Sequence, residues 1–419
     1  MKVVIMTVGG RGDVAPFTGL GQRLRAAGHD VALATEESFA DLVGSAGLEY
    51  RHLPGDTRSL LVSESGRRWQ ASGTRLSPRG IRANLKVTAS MVGVLGDGVV
   101  AATQGADVLL LQRALGVYGY LTARAMGIPS VSLDLFPGVP TAEFAPLGVG
   151  RATLGPWLNR HLTGLLAPLL SAPMDRPLRD LQRRLGLPAT SAARTRFAMW
   201  NDPAHPILCG WSPTVAPRPA DWRAGIDVVG YWWPARDGGW TPPAQLTDFL
   251  GAGPPPVFVG FGSMAGGQGG QLAGTVMTAL RRARVRAVIQ AGWAGLEVAG
   301  DDVLSIGDVP HEWLFPRMAA VVHHGGAGTT GAGIRAGVPS VLTPVLADQP
   351  YWARRVAELG VGPGWVPFPD ITAERLGGLI GRAVSEPGYR VRAQALAARV
   401  AAEDGAARVA DTLEHITRR

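Results

Sequence analysis

The chain has 419 residues, 46% hydrophobic and 18% charged, which suits two domains with substantial cores and excludes a disordered chain. The formal net charge is +8 and the pI about 10.3, yet the arginines are spread along the chain with no basic-aromatic module, so no nucleic-acid partner is expected. The single cysteine, Cys209, excludes an internal disulfide framework, and no run approaches the roughly 18 apolar residues of a membrane span.

In chain order, residues 2–8 are β-branched and predict a strand. Arg11 and Asp13 follow at once, so this apolar start is expected to be a strand rather than a signal peptide, and the cytoplasm is the expected compartment. Gly9-Gly10-Arg11-Gly12-Asp13 is a glycine-rich turn, and a helix follows with Phe17, Leu20, Leu24 and Ala27 on one face. Residues 30–35 are the next strand. Strand, glycine turn, helix, strand opens a doubly wound parallel sheet. A dinucleotide site is disfavoured here, because Pro16 and Phe17 stand where the third glycine is wanted and only Glu36 lies near the end of the second strand.

Residues 54–80 are polar and arginine-rich, and are too long for a plain connection, so a mobile functional loop is expected. Strands are predicted at 107–112 and 128–135. A Pro/Gly-rich excursion covers 136–156, a long helical stretch 157–185, and the last strand of this half 207–209. Aromatic residues with Pro and Gly crowd positions 228–243. The expected domains are therefore 1–225, a linker at 226–245, a second α/β domain at 246–400, and a terminal helix at 401–419 able to pack back on the first.

The second half starts with a strand at 257–261 that ends in Gly262-Ser263-Met264. Strands at 286–290, ending at Gly292-Trp293, and at 303–306 follow. Next comes Val321-Val322-His323-His324-Gly325-Gly326-Ala327-Gly328-Thr329-Thr330, then a strand at 340–342, Ala347-Asp348-Gln349-Pro350, and Ala/Leu/Arg-rich helices after Thr372. Val321-Val322 reads as a buried strand and Thr330 onward as helix. A glycine turn between them makes an anion seat, with free backbone N–H groups, a favourable helix dipole, and His324 and Thr329 as extra donors. Two α/β halves place the natural site in the cleft between them, at the carboxyl ends of strands.

The run from Gly307 to Gly360 resembles the signature region of the UDP-glycosyltransferase superfamily, with the GT-B fold of two Rossmann-like domains facing across a cleft. It looks most like actinobacterial natural-product glycosyltransferases, such as those that decorate glycopeptide antibiotics, and like sterol and lipid glucosyltransferases. The resemblance covers nearly all of the chain and is most specific at His323–Thr330 and Ala347–Pro350. It implies an inverting, metal-independent transferase moving a sugar from a UDP or dTDP donor to a hydroxyl of a small, largely apolar acceptor, with no other cofactor.

By the same resemblance, His324, Gly326, Ala327, Gly328 and Thr329 hold the diphosphate, Ser263 contacts it from the neighbouring loop, and Asp348 and Gln349 take the sugar hydroxyls. The backbone of Val309 reads the base. The stacking tryptophan of plant relatives aligns near Asp308 and is missing, so Trp293 is the substitute surface; the ribose-binding glutamate of those relatives aligns with Ala332. Asp13, in Arg11-Gly12-Asp13-Val14, is the expected catalytic base, although aspartate is also a favoured helix cap. Gly10 departs from relatives that carry Ser or Thr there. No Asp-x-Asp cluster suggests a metal. His323 reads equally as structure or site. The acceptor would lie against residues 54–80 and 136–156, with Trp69, Phe136 and Phe144. A monomer or homodimer is expected. The competing readings are an NAD-type oxidoreductase, a GT-B nucleotide-sugar epimerase, and a non-catalytic helper that binds nucleotide sugars.

Overall fold

The computed structural model describes residues 1–64, 66, 70, 85, 89, 95–147, 149, 152–236, 238–262, 269–290 and 300–417. The chain divides into two compact units: Met1–Leu60 with Leu76–Gly238 and Glu403–Arg419, and Leu61–Arg75 with Gly239–Ala402. The first half runs β1 (Lys2–Met6), α1 (Arg11–Ala26), β2 (Asp30–Thr35), α2 (Ala40–Ser45), β3 (Glu49–His52), α3 (Thr57–Val62), α4 (Leu95–Ala102), β4 (Val108–Gln112), α5 (Gly116–Met126), β5 (Ser130–Asp134), α6 (Pro156–Arg184), α7 (Ala192–Asn201), β6 (Ile207–Cys209) and β7 (Ile226–Val228). The second runs α8 (Ala244–Gly251), β8 (Val257–Gly260), α9 (Gly269–Ala283), β9 (Ala287–Gln290), β10 (Val303–Ile306), α10 (His311–Leu314), β11 (Ala320–His323), α11 (Ala327–Arg335), β12 (Ser340–Leu342), α12 (Gln349–Glu358), β13 (Gly364–Trp365), α13 (Ala373–Ser385), α14 (Pro387–Ala401) and α15 (Gly405–Thr417).

Each unit is built on a parallel sheet. The first has seven strands in the order β3-β2-β1-β4-β5-β6-β7, and the second six in the order β10-β9-β8-β11-β12-β13. Ile5 of β1 pairs with Leu33 on one side and Leu110 on the other. The central strands are apolar along their whole length because helices cover both faces of a parallel sheet. On one face Val3, Ile5, Leu33, Leu110, Val131 and Leu133 pack against Phe17, Leu20 and Leu24 of α1 and against Val409 and Leu413 of α15. Ala27 is exposed just beyond α1, so it does not belong to that stripe. The second sheet buries Val257, Val259, Ala320 and Val322 against Val276 and Leu280 of α9 and Leu376 and Ile380 of α13.

Three strands escaped the sequence reading. β3 reads Glu-Tyr-Arg-His and lies at the sheet edge, where one flank is wet and apolar residues are not required. β13 is two residues long. β7, Ile-Asp-Val, occupies positions assigned to the start of the linker; it pairs with β6, so 207–209 is not the last strand of its half. Within residues 54–80, Thr57–Val62 is helical rather than loop, while 65, 67–69 (with Trp69) and 71–80 lie outside the described residues. No helix among the described residues is long and apolar enough to cross a membrane.

Candidate active site

The glycine turn after β11 forms the expected strand–turn–helix junction. Gly326 is the N-cap of α11, and the first intrahelical bond is Thr330 N–H to the Gly326 carbonyl, at 2.9 Å. The amides of Ala327, Gly328 and Thr329 therefore have no acceptor among the described residues and stand at the positive end of the helix. His324 lies against the same turn. A side chain on Gly326 would place its Cβ 2.6 Å from His324 Nε2, so glycine is what lets the imidazole and the cradle backbone meet. Burial pulls His324 down from 6.5 to about 4, so it is neutral at pH 7. Its Nδ1 is buried without a partner among the described residues.

His323, at the end of β11, is fully buried. Gly325 N–H donates to its Nδ1 at 3.1 Å, which leaves the ring proton on Nε2. Burial, with His324 and His311 nearby, holds it well below the usual histidine range. That Nε2 is a buried donor without a partner, as is the hydroxyl of Thr330. Unsatisfied buried donors cost about 1–3 kcal/mol each and are rare. Because both residues flank the glycine turn in the chain and each carries an unpartnered buried group, His323 and Thr330 are additional candidates for phosphate oxygens. Sequence gave no signal for Thr330 beyond its place in the first helical turn.

Asp348 and Gln349 sit at the N-terminus of α12, and both are nearly buried. They are less free than expected. Asp348 Oδ2 accepts from Trp352 Nε1 at 2.7 Å, and Gln349 Oε1 accepts from the amides of Val345 at 2.7 Å and Leu346 at 3.1 Å. What Gln349 leaves open among the described residues is its NH2 group. Before them, Ala347 holds φ +58°, a left-handed conformation costing an L-residue about 1 kcal/mol or more. A braced, strained turn fixes side chains more tightly than a plain loop does.

Val309 is buried in the core beside α10, and neither its N–H nor its carbonyl bonds to a described residue. Next to it, Asp308 accepts from Gln290 Nε2 at 3.0 Å. Ser263 and Trp293 lie outside the described residues. No three His, Cys, Asp or Glu side chains come together as metal ligands among the described residues.

In the first unit Asp13 lies in the first turn of α1, not at its N-cap, which is Gly10. It nonetheless does capping work. Gly10 N–H donates to Asp13 Oδ2 at 2.9 Å, and Thr7 Oγ1 donates to the Asp13 carbonyl at 2.8 Å. Gly9, at φ +135°, lies so close that an added Cβ would be 2.5 Å from Oδ2. One carboxylate oxygen is thus pinned, and the other has no partner among the described residues. Burial pushes the carboxyl from 3.8 up to about 6; the Gly10 amide opposes this, and Glu36 adds to the rise. Glu36 immediately follows β2 and is itself raised by burial, against the lowering contacts of Thr57. In sequence Glu36 bears only on the disfavoured dinucleotide site; in the structure it is an electrostatic neighbour of Asp13.

Two family models match the chain. One is the N-terminal domain of glycosyltransferase family 28, over residues 3–109, and the other is the C-terminal domain of erythromycin biosynthesis protein CIII-like proteins, over residues 274–416. The O-mycaminosyltylonolide 6-deoxyallosyltransferase of Streptomyces fradiae is 35% identical over 420 residues, covering 97% of this chain and 95% of that protein. The sterol 3-beta-glucosyltransferase UGT80A2 of Arabidopsis thaliana is 34% identical over 97% of this chain, which spans only 64% of that longer relative. Among solved structures, the glycosyltransferase SsfS6 of Streptomyces sp. SF2575 complexed with thymidine diphosphate shares the fold, with a TM-score of 0.65 at 21% identity over 100% of both chains. The paired parallel sheets and the near full-length likeness to the Streptomyces fradiae enzyme agree, and the chain belongs to the GT-B glycosyltransferases of the UDP-glycosyltransferase superfamily.

Proposed function

We propose that the chain transfers a sugar from a nucleoside diphosphate sugar to a hydroxyl of a small, largely apolar acceptor, with inversion and without a metal. The observation that carries this is the Asp13 carboxylate, pinned through one oxygen, open at the other, and poised near pH 6. An acceptor hydroxyl gives its proton to the open oxygen as it attacks the anomeric carbon, and the bond from that carbon to the diphosphate breaks on the opposite face. The leaving diphosphate takes its stabilisation from the free amides of residues 327–329 and from the histidines beside them, where a cation would otherwise serve. The N-terminal unit supplies the base and the acceptor surface, and the C-terminal unit the donor cradle, with Val309 at the base and Asp348 and Gln349 at the sugar. Ser263 and Trp293 keep their proposed donor roles.

The relatives support this reading. One is named for moving a deoxyhexose onto a macrolide and another for glucosylating sterols, and a structural neighbour was solved with thymidine diphosphate. The test is to rank UDP, dTDP and other nucleoside diphosphates by calorimetry, then to screen acceptors by mass spectrometry with the best donor, with and without EDTA. Glycosylated acceptor at an EDTA-independent rate is expected. Conversion of the donor with no acceptor present would replace the reading with an epimerase.

A further inference from the structure

Arg196 is a cation without a counter-ion among the described residues. It lies on α7, four residues before Trp200, so the two share a helix face. Its Nη1 donates to Ser171 Oγ at 3.0 Å, and its Nη2 points at Met174 Sδ at 3.5 Å, both on α6. The acid nearby on α6, Asp175, is spent on the Ala192 amide at 2.8 Å, and no described carboxylate forms an ion pair with Arg196. Burial, with Arg113 adding to it, brings its guanidinium down to about 10.

Arg113 immediately follows β4, at the same carboxyl edge of the sheet that carries Asp13 beyond β1. It pairs with the buried Asp134 at 2.9 Å and donates to the Gly138 carbonyl at 2.6 Å. Its guanidinium carbon is 5.5 Å from the Trp200 ring centre and 5.9 Å from that of Phe136. Arg113 has the Asp134 carboxylate, whereas the neighbouring Arg196 has none among the described residues, although charges taken out of water are normally matched. Arg196 spends two of its five N–H donors on a hydroxyl and a thioether, neither of which carries charge.

We propose that Arg196, backed by Arg113, binds an anionic oxygen group on the acceptor, a carboxylate or an ionised phenol. The proposal rests on the N-terminal unit being the acceptor-holding unit. A planar guanidinium forks onto a carboxylate and its donors are preorganised for that geometry. The acceptor is then apolar over most of its surface but acidic at one end, which narrows the apolar scaffold expected from the sequence.

The probes are 6-hydroxy-2-naphthoate and its methyl ester, titrated calorimetrically into the full chain with UDP or dTDP present. The wild type is expected to bind the acid about 10- to 100-fold more tightly than the ester, the range of a charge-assisted hydrogen bond. Arg196→Met should erase that preference while changing ester affinity less than about twofold, and Arg196→Lys should restore part of it. Equal affinity for acid and ester, no binding of the acid by the wild type, or an Arg196→Met loss that strikes both probes alike would overturn the proposal; the last outcome marks Arg196 as packing only. The nucleotide arm is read separately. Failure of every nucleoside diphosphate to bind counts against the glycosyltransferase reading itself, while nucleotide binding without acid preference counts against this inference alone.

Discussion

Replacing Asp13 by asparagine tests the proposed base and the electrostatics around it together. The amide is nearly isosteric and its Oδ1 can still accept from Gly10 N–H, so the turn should survive. The open oxygen, however, loses its proton affinity. Losing a positioned base costs about 10²–10⁴-fold in turnover, and donor affinity should be unchanged because the cradle lies in the other unit. The same substitution should stabilise the fold above pH 6. The Asp13 carboxyl stands at about 6 in the folded chain against 3.8 when unconstrained. Below pH 4 both states are protonated and the group contributes no difference; between 4 and 6 the folded state binds more protons, so stability falls as pH rises; above 6 the cost is complete. At about 1.4 kcal/mol per unit the shift amounts to about 3 kcal/mol, and contact with solvent reduces this to about 1–2 kcal/mol. Thermal unfolding of the wild type and Asp13→Asn from pH 4 to 8 should therefore show the variant's advantage growing to pH 6 and then levelling. The wild-type kcat/KM should rise with an apparent pKa near 6. Undiminished turnover in Asp13→Asn would refute the role as base. A stability difference that ignores pH would refute the claim that the carboxylate is held at a desolvation cost.

Other substitutions probe the remaining parts. Gly326→Ala would force the His324 ring aside, since the new Cβ falls 2.6 Å from Nε2; calorimetry should show about a tenfold or greater loss of nucleoside diphosphate affinity, matched by His324→Ala, and unchanged binding in both would dismiss His324. Asp348→Ala leaves the buried Trp352 Nε1 without its 2.7 Å acceptor, so unfolding by denaturant should show a loss of about 1–3 kcal/mol along with a raised donor KM. His205 is clamped between Ser130 and Ser132, each 2.8 Å away, and burial lowers it to about 4. The unfolded chain then binds more protons between pH 6.5 and 4, so stability should fall as pH drops through that window; His205→Asn should flatten the slope in thermal melts, and an unchanged slope would assign the acid sensitivity elsewhere.

Much of the molecule was legible because the signals were local. The β-branched runs of β1, β2, β8 and β11 are buried on both faces, so their apolar continuity survives in any order of pairing. The glycine turn before α11 announces itself because a strand, a run lacking side chains and a helix start admit few other conformations. Edge strands β3 and β7 left no such trace, since their place depends on a neighbour rather than on their own pattern. The residue types at 13, 324, 348 and 349 were readable, but their chemistry was not. Which Asp13 oxygen is free, which histidine nitrogen lacks a partner, and that Gln349 spends its carbonyl on the Val345 and Leu346 amides all follow from distances between groups. So do the proximity of Glu36 to Asp13 and the absence of a counter-ion for Arg196 among the described residues. The chain by itself settles which backbone segments are buried, because burial follows from composition along a segment. Only the packed structure settles which polar groups are left unsatisfied, because that is a property of pairs of groups distant in the chain.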